Sequence, residues 1–473
     1  MNIDLKNLTI EKAHEHLRKG DFSVWDLVSA YLENIKQKNS ELNIYLEIFD
    51  DLEAQSERAQ KMFADGSATL LTGIPFAMKD NMLIEGKKMT SGSKILGDYK
   101  AVYDGTVPKI LKSQGAILLG RTNMDEFAMG SSTENSAFGV TKNPIDPTRV
   151  PGGSSGGSAA AVVAQTALVS LGSDTGGSIR QPAAFCGLVG LKTTHDSISR
   201  YGLVSLASSL DQIGPMAKTV RDAEIIFDAL AVYDPMDATS ATEEQRSVQQ
   251  ELRKKIGVPR SFLTVGGIDE EVLANFTRSL EYMKRVGYEI VDIELPLLRY
   301  SLPVYYVIQP AEASSNLSRF DGMRYGLSHD GKDLLEVYKK TRGQGFGKET
   351  RRRILLGTYV LSHGYYDAYY RKAVNVRDQI TKELKDIFKQ VDVIATPTTP
   401  TPAFKIGEKA SDPVAMYLSD IFTVPANIAG NPAISIPSGA TKEGLPLGIQ
   451  FMSTHFAEKT LFEIGKELEK GVK

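Results

Sequence analysis

The sequence predicts an α/β protein in which a mixed central β-sheet is covered by helices on both faces. Three observations support this. Short apolar runs of strand character, such as AILLG, VDVIATPT and LPLGIQFMS, recur along the chain. Longer segments between them carry apolar residues at helical spacing. No linker interrupts the alternation, so residues 1–473 are expected to form one domain. Of these 473 residues, 42% are hydrophobic and 24% charged, which is ample for a large core.

The chain opens with helices. Ile10, Ala13 and Leu17 lie at helical spacing and Gly20 ends the run. Ser23 and Asp26 have the form of a capping box before a second helical stripe. NIYLEIF reads as a strand, followed by a polar helix to residue 64. LTGIPFAMKDN is an apolar run ending at Lys79. DGTVPKILKSQG is a helix closed by Gly115, and AILLG is a buried strand. Residues 130–158 read as one long Gly/Ser/Pro/Thr-rich loop, a kind that usually carries function. AAAVVAQTALVSL then runs from helix into strand, and SDTGGSIRQPAAFCGLVGLK from a turn into helix and strand. Residues 234–247 read as a surface loop. KKIGVP and YEIVDIEL are strands around the helix DEEVLANFTRSLEYMKRVG. A long helical region from Arg351 to Gln390 is interrupted near Gly364, and three strands close the chain.

Charge narrows the function. A net charge of -3 and a pI near 6.2 leave no basic field to hold nucleic acid unaided. Cys186 is the single cysteine, which excludes an internal disulfide and fits a reducing, cytoplasmic setting. No signal-peptide pattern and no membrane-spanning apolar run are expected.

Two Ser/Gly turns are candidates for chemistry. Gly152–Gly156 matches G-x-S-x-G, but KNPIDPTRVP before it cannot be the strand that a nucleophile elbow requires. No lysine follows the glycines as in a phosphate loop. Ser91 and Lys94 fit S-x-x-K, but the accompanying K-T-G is missing. The second turn places Ser178 between a strand and a helix. The backbone N–H groups of Thr175, Gly176, Gly177 and Ser178 could converge there on a developing oxyanion. A plain helix-capping loop would have the same pattern. A serine nucleophile needs a base. None of the six histidines lies in a companion motif. Lys79 would serve if burial left it neutral, although a lone lysine is usually solvated.

Taken together, GIPFAMKDN around Lys79, PGGSSGGS over residues 151–158 and GSDTGGSIRQP over residues 172–182 resemble the amidase signature family. The resemblance implies Ser178 as nucleophile, Ser154 as proton relay after a cis Gly153–Ser154 bond, and Lys79 as base. MDEFAMG at 124–130, EASSNLSRFDG at 312–322 and GYYDAYY at 364–370 are similar to one branch, the A subunits of aspartyl/glutamyl-tRNA amidotransferases. That likeness implies glutamine as the ammonia source, with Met129, Arg353 and Asp420 binding it. It also implies B and C subunits in a heterotrimer, misacylated tRNA held mainly by a partner, and ATP with Mg at the partner. No cofactor or metal is expected on this chain. Arg353 closes a run of arginines that could be a solvated helix face, and Asp420 could be a surface carboxylate. Thr193–Ser197 departs from the family pattern, which usually has a proline after Lys192. Two rival readings are a stand-alone amidase and an inactive scaffold protein.

Overall fold

Local signals set the first helices of the structure, a computed structural model that describes residues 3–247, 252–264 and 267–472. Helix Ile10–Lys19 starts where the Thr9 side chain accepts from Lys12 N–H and stops at Gly20, whose φ of 73° suits glycine. Helix Val24–Leu42 opens on the reciprocal Ser23–Asp26 capping box.

Eleven strands form one sheet: β1 Tyr45–Ile48, β2 Pro75–Lys79, β3 Ile117–Thr122, β4 Val169–Asp174, β5 Val189–Lys192, β6 Gln212–Ala217, β7 Lys255–Val258, β8 Glu289–Asp292, β9 Val393–Pro397, β10 Ala433–Ala440 and β11 Pro446–Ser453. Their order is β1-β3-β2-β4-β6-β5-β10-β11-β9-β7-β8. β2 is parallel to β3 and β4, and β7 to β8 and β9, while the other pairs are antiparallel, so the sheet is mixed.

Side-chain alternation along the strands fills two apolar layers. Val393, Ala395, Ile434 and Phe451 join one cluster with Leu27, Ile117 and Leu461. Their strand neighbours Ile394, Ala433 and Met452 join the other, with Ile308, Leu317 and Phe422. Successive residues of a strand face opposite ways, so helices pack on both faces of the sheet. The parallel register matters most for function. Met78 of β2 lies opposite Leu171 of β4, so Lys79 and the turn after Asp174 leave the sheet at the same end. Carboxyl ends of parallel strands are where open α/β sheets bind ligands.

Two expectations need correction, and two elements were missed. The loop ends at residue 155, because helix Gly156–Val163 begins inside the Gly/Ser run. Residues 234–247 are not simply a surface loop. Thr242 and Gln245 form a capping box on a short helix, Glu243–Arg246, and Asp234 is buried with Ser199 Oγ donating to it at 2.5 Å. Strand β6 and helix Ser301–Asn316 were not anticipated, since each contains a proline, Pro215 and Pro310, that argues locally against the element.

Candidate active site

Lys79 ends β2 and is 1% exposed. Its Nζ lies 2.7 Å from Ser154 Oγ, 2.8 Å from Ser155 Oγ and 2.9 Å from Ser173 Oγ, and it donates to the Ser173 carbonyl at 3.3 Å. Burial lowers its pKa to about 7, against the upward pull of Asp125, Asp174 and Asp211. Near neutral pH the amine is therefore partly uncharged and able to accept a proton. The Gly153–Ser154 peptide bond is cis. Gly153 is closely packed: a Cβ there would lie 2.2 Å from Asp125 Oδ2, so no larger residue fits.

Ser178 follows β4 and precedes helix Arg180–Phe185. Its carbonyl accepts from Ser155 N–H at 3.2 Å, which sets the two serine turns side by side. Its hydroxyl has no hydrogen-bond partner among the described residues, so the structure joins Lys79 to Ser154 directly but shows no Ser154–Ser178 bond. The expected row of four N–H donors is reduced. Gly177 N–H donates to Asp174 Oδ1 at 2.8 Å and is spent, leaving Thr175, Gly176 and Ser178. The cause is electrostatic: Asp174, held at 3.0 Å by Arg180 Nη2, turns its carboxylate back over its own turn and also takes Ile179 N–H. At φ 137°, Gly177 lies so close to Thr423 that a Cβ would meet Thr423 Oγ1 at 2.2 Å.

Thr423 ties this turn to the other candidate residues. Its hydroxyl donates to Gly176 O at 2.7 Å and to Asp420 O at 3.0 Å. Asp420 is buried, and Ser131 Oγ donates to its Oδ2 at 2.6 Å. Burial raises its pKa to about 7, while Ser131 and Arg353 pull it down. Arg353 is buried too, unlike its exposed neighbour Arg351. Its guanidinium lies 5.1 Å from the ring centres of both Tyr306 and Tyr417, Nε donates to Glu349 at 2.8 Å and Nη1 to Gln309 at 2.7 Å. Nη2 has no partner among the described residues. Neither residue is thus the solvated charge that its local sequence allowed. Tyr305, beside Tyr306, packs so closely on Gly176 that a Cβ there would lie 2.8 Å from its Cζ. Met129 is buried in the second apolar cluster. Its N–H is bound to Glu126 O, and its carbonyl accepts from Asn135 Nδ2 at 3.3 Å with a lone pair left over. Arg353 and Tyr417 line a cavity of about 280 Å³ that also touches Gly130 and Ser132, but not Ser178.

The amidase family profile matches residues 26–462. The chain belongs to the amidase family. The A subunit of the glutamyl-tRNA(Gln) amidotransferase of Desulfatibacillum aliphaticivorans is 49% identical, over 98% of this chain and 97% of that one. Its counterpart of the same name in Caldanaerobacter subterraneus is also 49% identical, over 100% and 98%. Among solved structures, the A subunit of the glutamyl-tRNA(Gln) amidotransferase from Thermotoga maritima superposes with a TM-score of 0.82 at 42% identity, covering 99% of this chain and 96% of that one. The peptide amidase of Stenotrophomonas maltophilia gives 0.83 at 26%, covering 99% and 98%. Both share this amidase fold.

Several residues of the candidate site carried no separate signal in the sequence. Ser155 and Ser173 sit inside the quoted motifs, but nothing marked their hydroxyls as partners of Lys79. Gln309, Tyr305 and Tyr306 come from the unanticipated helix. The aberrant Thr193–Ser197 segment makes no hydrogen bond to Lys79, Ser154 or Ser178. It is fixed instead by Glu458, which accepts from Thr194 N–H at 2.7 Å, and by Thr194 Oγ1, which accepts from Phe456 N–H at 2.8 Å. No group of three or more His, Cys, Asp or Glu side chains among the described residues could hold a metal, and no helix there is long and apolar enough to cross a membrane.

Proposed function

We propose that this amidase-family enzyme is the glutamine-hydrolysing component of an amidotransferase that converts Glu-tRNA(Gln) to Gln-tRNA(Gln), and by the same chemistry Asp-tRNA(Asn) to Asn-tRNA(Asn). The relatives that are A subunits of glutamyl-tRNA(Gln) amidotransferases support the overall activity. The observation that carries the mechanism is the buried Lys79 amine 2.7 Å from Ser154 Oγ, beside a Ser178 hydroxyl free of any partner among the described residues.

In this reading Ser178 Oγ attacks the side-chain amide carbon of glutamine. Its proton passes through Ser154 to Lys79, and the N–H groups of Thr175, Gly176 and Ser178 receive the oxyanion. The C–N bond then breaks, the proton returns through Ser154 to the leaving nitrogen, and ammonia departs. Water, activated by the same pair, releases glutamate from the Ser178 ester. Arg353 offers its free Nη2 to the α-carboxylate, Asp420 accepts from the α-ammonium, and the Met129 carbonyl is a further acceptor. The ammonia is consumed at the B and C subunits, where misacylated tRNA, ATP and Mg act.

The test is ammonia release from glutamine by this chain with and without its partner subunits, together with Ser178→Ala. The complex is expected to be the better glutaminase, and Ser178→Ala to lose on the order of 10⁴-fold or more. Near-normal activity in the alanine variant would remove Ser178 from the mechanism. Full activity of the lone chain, unchanged by partners, would point to a stand-alone amidase.

A further inference from the structure

The proposed mechanism leaves one buried carboxylate unused. Asp125 is fully buried, and among the described residues no cation pairs with it. It is held by backbone N–H groups alone: Thr133 and Ser132 donate to Oδ2 at 2.9 and 3.3 Å, and Asn135 to Oδ1 at 3.0 Å. Such a ring of N–H groups is a nest for an anion. The turn around Ser154 lies against it. Asp125 N–H donates to Ser154 O at 3.3 Å, and Gly153 leaves no room for a Cβ beside Asp125 Oδ2. Thr133, whose N–H Asp125 grips, brackets the Gly153–Ser154 peptide: its hydroxyl donates to Gly152 O at 2.8 Å and accepts from Gly156 N–H at 3.1 Å.

We infer that Asp125 is a positioning residue of this reaction, holding the Gly153–Ser154 turn through Thr133 and supplying the uncompensated negative charge that governs proton transfer to Lys79. The inference rests on the Lys79–Ser154–Ser178 reading above. Four carboxylates face or adjoin Lys79: Asp80, Asp125, Asp174 and Asp211. Asp80 is paired with Arg121 at 3.0 Å and Asp174 with Arg180 at 3.0 Å, so nearby guanidinium groups offset their charges. Asp211 also has no cation partner among the described residues, but it faces the Thr175 side, accepting from Thr175 Oγ1 at 2.7 Å. Asp125 alone touches the Ser154 turn. Charge in a site without water acts with little screening, and Asp125 is the largest of the contributions favouring the protonated amine. Burial raises Asp125 itself to about 6, with its three N–H donors pulling the other way, so it is ionised at neutral pH.

The experiment uses the full chain in its complex and reads the rate at which an aromatic sulfonyl fluoride modifies Ser178, located by peptide mass, against pH. Glutamine hydrolysis is measured in parallel. Removing the Asp125 charge favours the neutral amine, so in Asp125→Asn the acid limb of the profile should move at least half a pH unit lower while the limiting rate falls tenfold or more. Thr133→Val should lower the rate severalfold without moving the limb, with KM little changed, and Thr133→Ser should restore it. An Asp125→Asn limb that coincides with the wild-type limb overturns the electrostatic role. If Asp125→Asn does not fold, the Thr133 pair decides, and wild-type rates in Thr133→Val overturn the inference. Failure of the wild-type Ser178 to react overturns the triad and the inference with it. A reactive Ser178 without glutamine hydrolysis sinks the glutaminase reading alone, and the pH profiles still decide the role of Asp125.

Discussion

Lys79 and Lys192 end two strands of the same sheet, and burial pushes each down to about 7. Their surroundings differ. Lys79 lies among three serine hydroxyls, which can both give and accept protons. Lys192 donates at 2.8 Å to two carbonyls, Thr193 O and Asn431 O, which have no proton to give. Two carboxylates repeat the contrast. Burial alone would raise Asp174, but the Arg180 guanidinium and Asn427 bring it down to about 2. Asp420, with one hydroxyl as its direct partner, stays raised near 7. Lys192 and Asp174 are satisfied within the protein and hold the fold. Lys79 meets hydroxyls that can exchange protons with it, and Asp420 has a single hydroxyl as direct partner, and such groups are where protons and substrate are expected. A depressed lysine pKa alone does not identify a base; its neighbours do.

The largest expected effect tests that distinction. Lys79→Met should abolish amide hydrolysis, by on the order of 10⁴-fold or more, because no other base among the described residues reaches Ser154. Lys79→Arg should fail as completely, since arginine stays protonated. Wild-type kcat at saturating glutamine should fall about tenfold per pH unit below a limb near 7, as Lys79 gains its proton. Steady-state ammonia release across pH 5–9 checks all three. An active Arg variant would make Lys79 a mere charge and erase the contrast with Lys192.

A smaller effect is expected at the substrate end. Arg353→Gln and Asp420→Asn each remove one charge-assisted contact to glutamine, roughly 1.5–3 kcal/mol, or about 10- to 150-fold in KM. A simple amide without α-groups should be affected little by either change. Equal losses on both substrates would mean that these residues support the fold, like Asp174. Since the glutamine ammonium stabilises ionised Asp420, binding should also weaken as pH falls through about 7 in the wild type, and less so in Asp420→Asn.

Much of this site was legible in the sequence, for a physical reason. Lys79, Ser154 and Ser178 lie in motifs whose glycines are required by close contacts: Gly153 against Asp125, and Gly177 against Thr423. The capping box at Ser23 and the αL stop at Gly20 are local signals too. What stayed hidden depends on distant packing. Arg353 looks like part of a solvated run until Tyr306 and Gln309 arrive from a helix that contains Pro310. Local preference argues against that helix and against β6, and tertiary contacts override it in both. The spent Gly177 N–H was equally out of reach, because it follows from how Arg180 turns Asp174.

The smallest effect on rate, and the sharpest test of the comparison, is Lys192→Met. Lys192 touches no proposed substrate contact, so kcat should stay within about twofold, unlike Lys79→Met. Its signature lies in stability against pH. The folded pKa of Lys192 is lowered to about 7, below the 10.5 of a free lysine. Between those values the unfolded chain holds a proton that the folded chain lacks, so this lysine opposes folding below that window and ceases to do so above it. Wild-type stability therefore gains about 1.4 kcal/mol per pH unit from Lys192 across the window. Lys79 and Lys218, also lowered by burial, contribute with the same sign, but they are present in both proteins. The slope difference between wild type and Lys192→Met isolates the one residue. Urea unfolding from pH 8 to 9.5 should give a flatter curve for the variant by about that amount, with the largest relative gain for the variant at the lower pH. Parallel curves would mean that Lys192 keeps its proton in the fold. The two lysines would then differ in charge state as well as in partners, and the contrast would need a different cause.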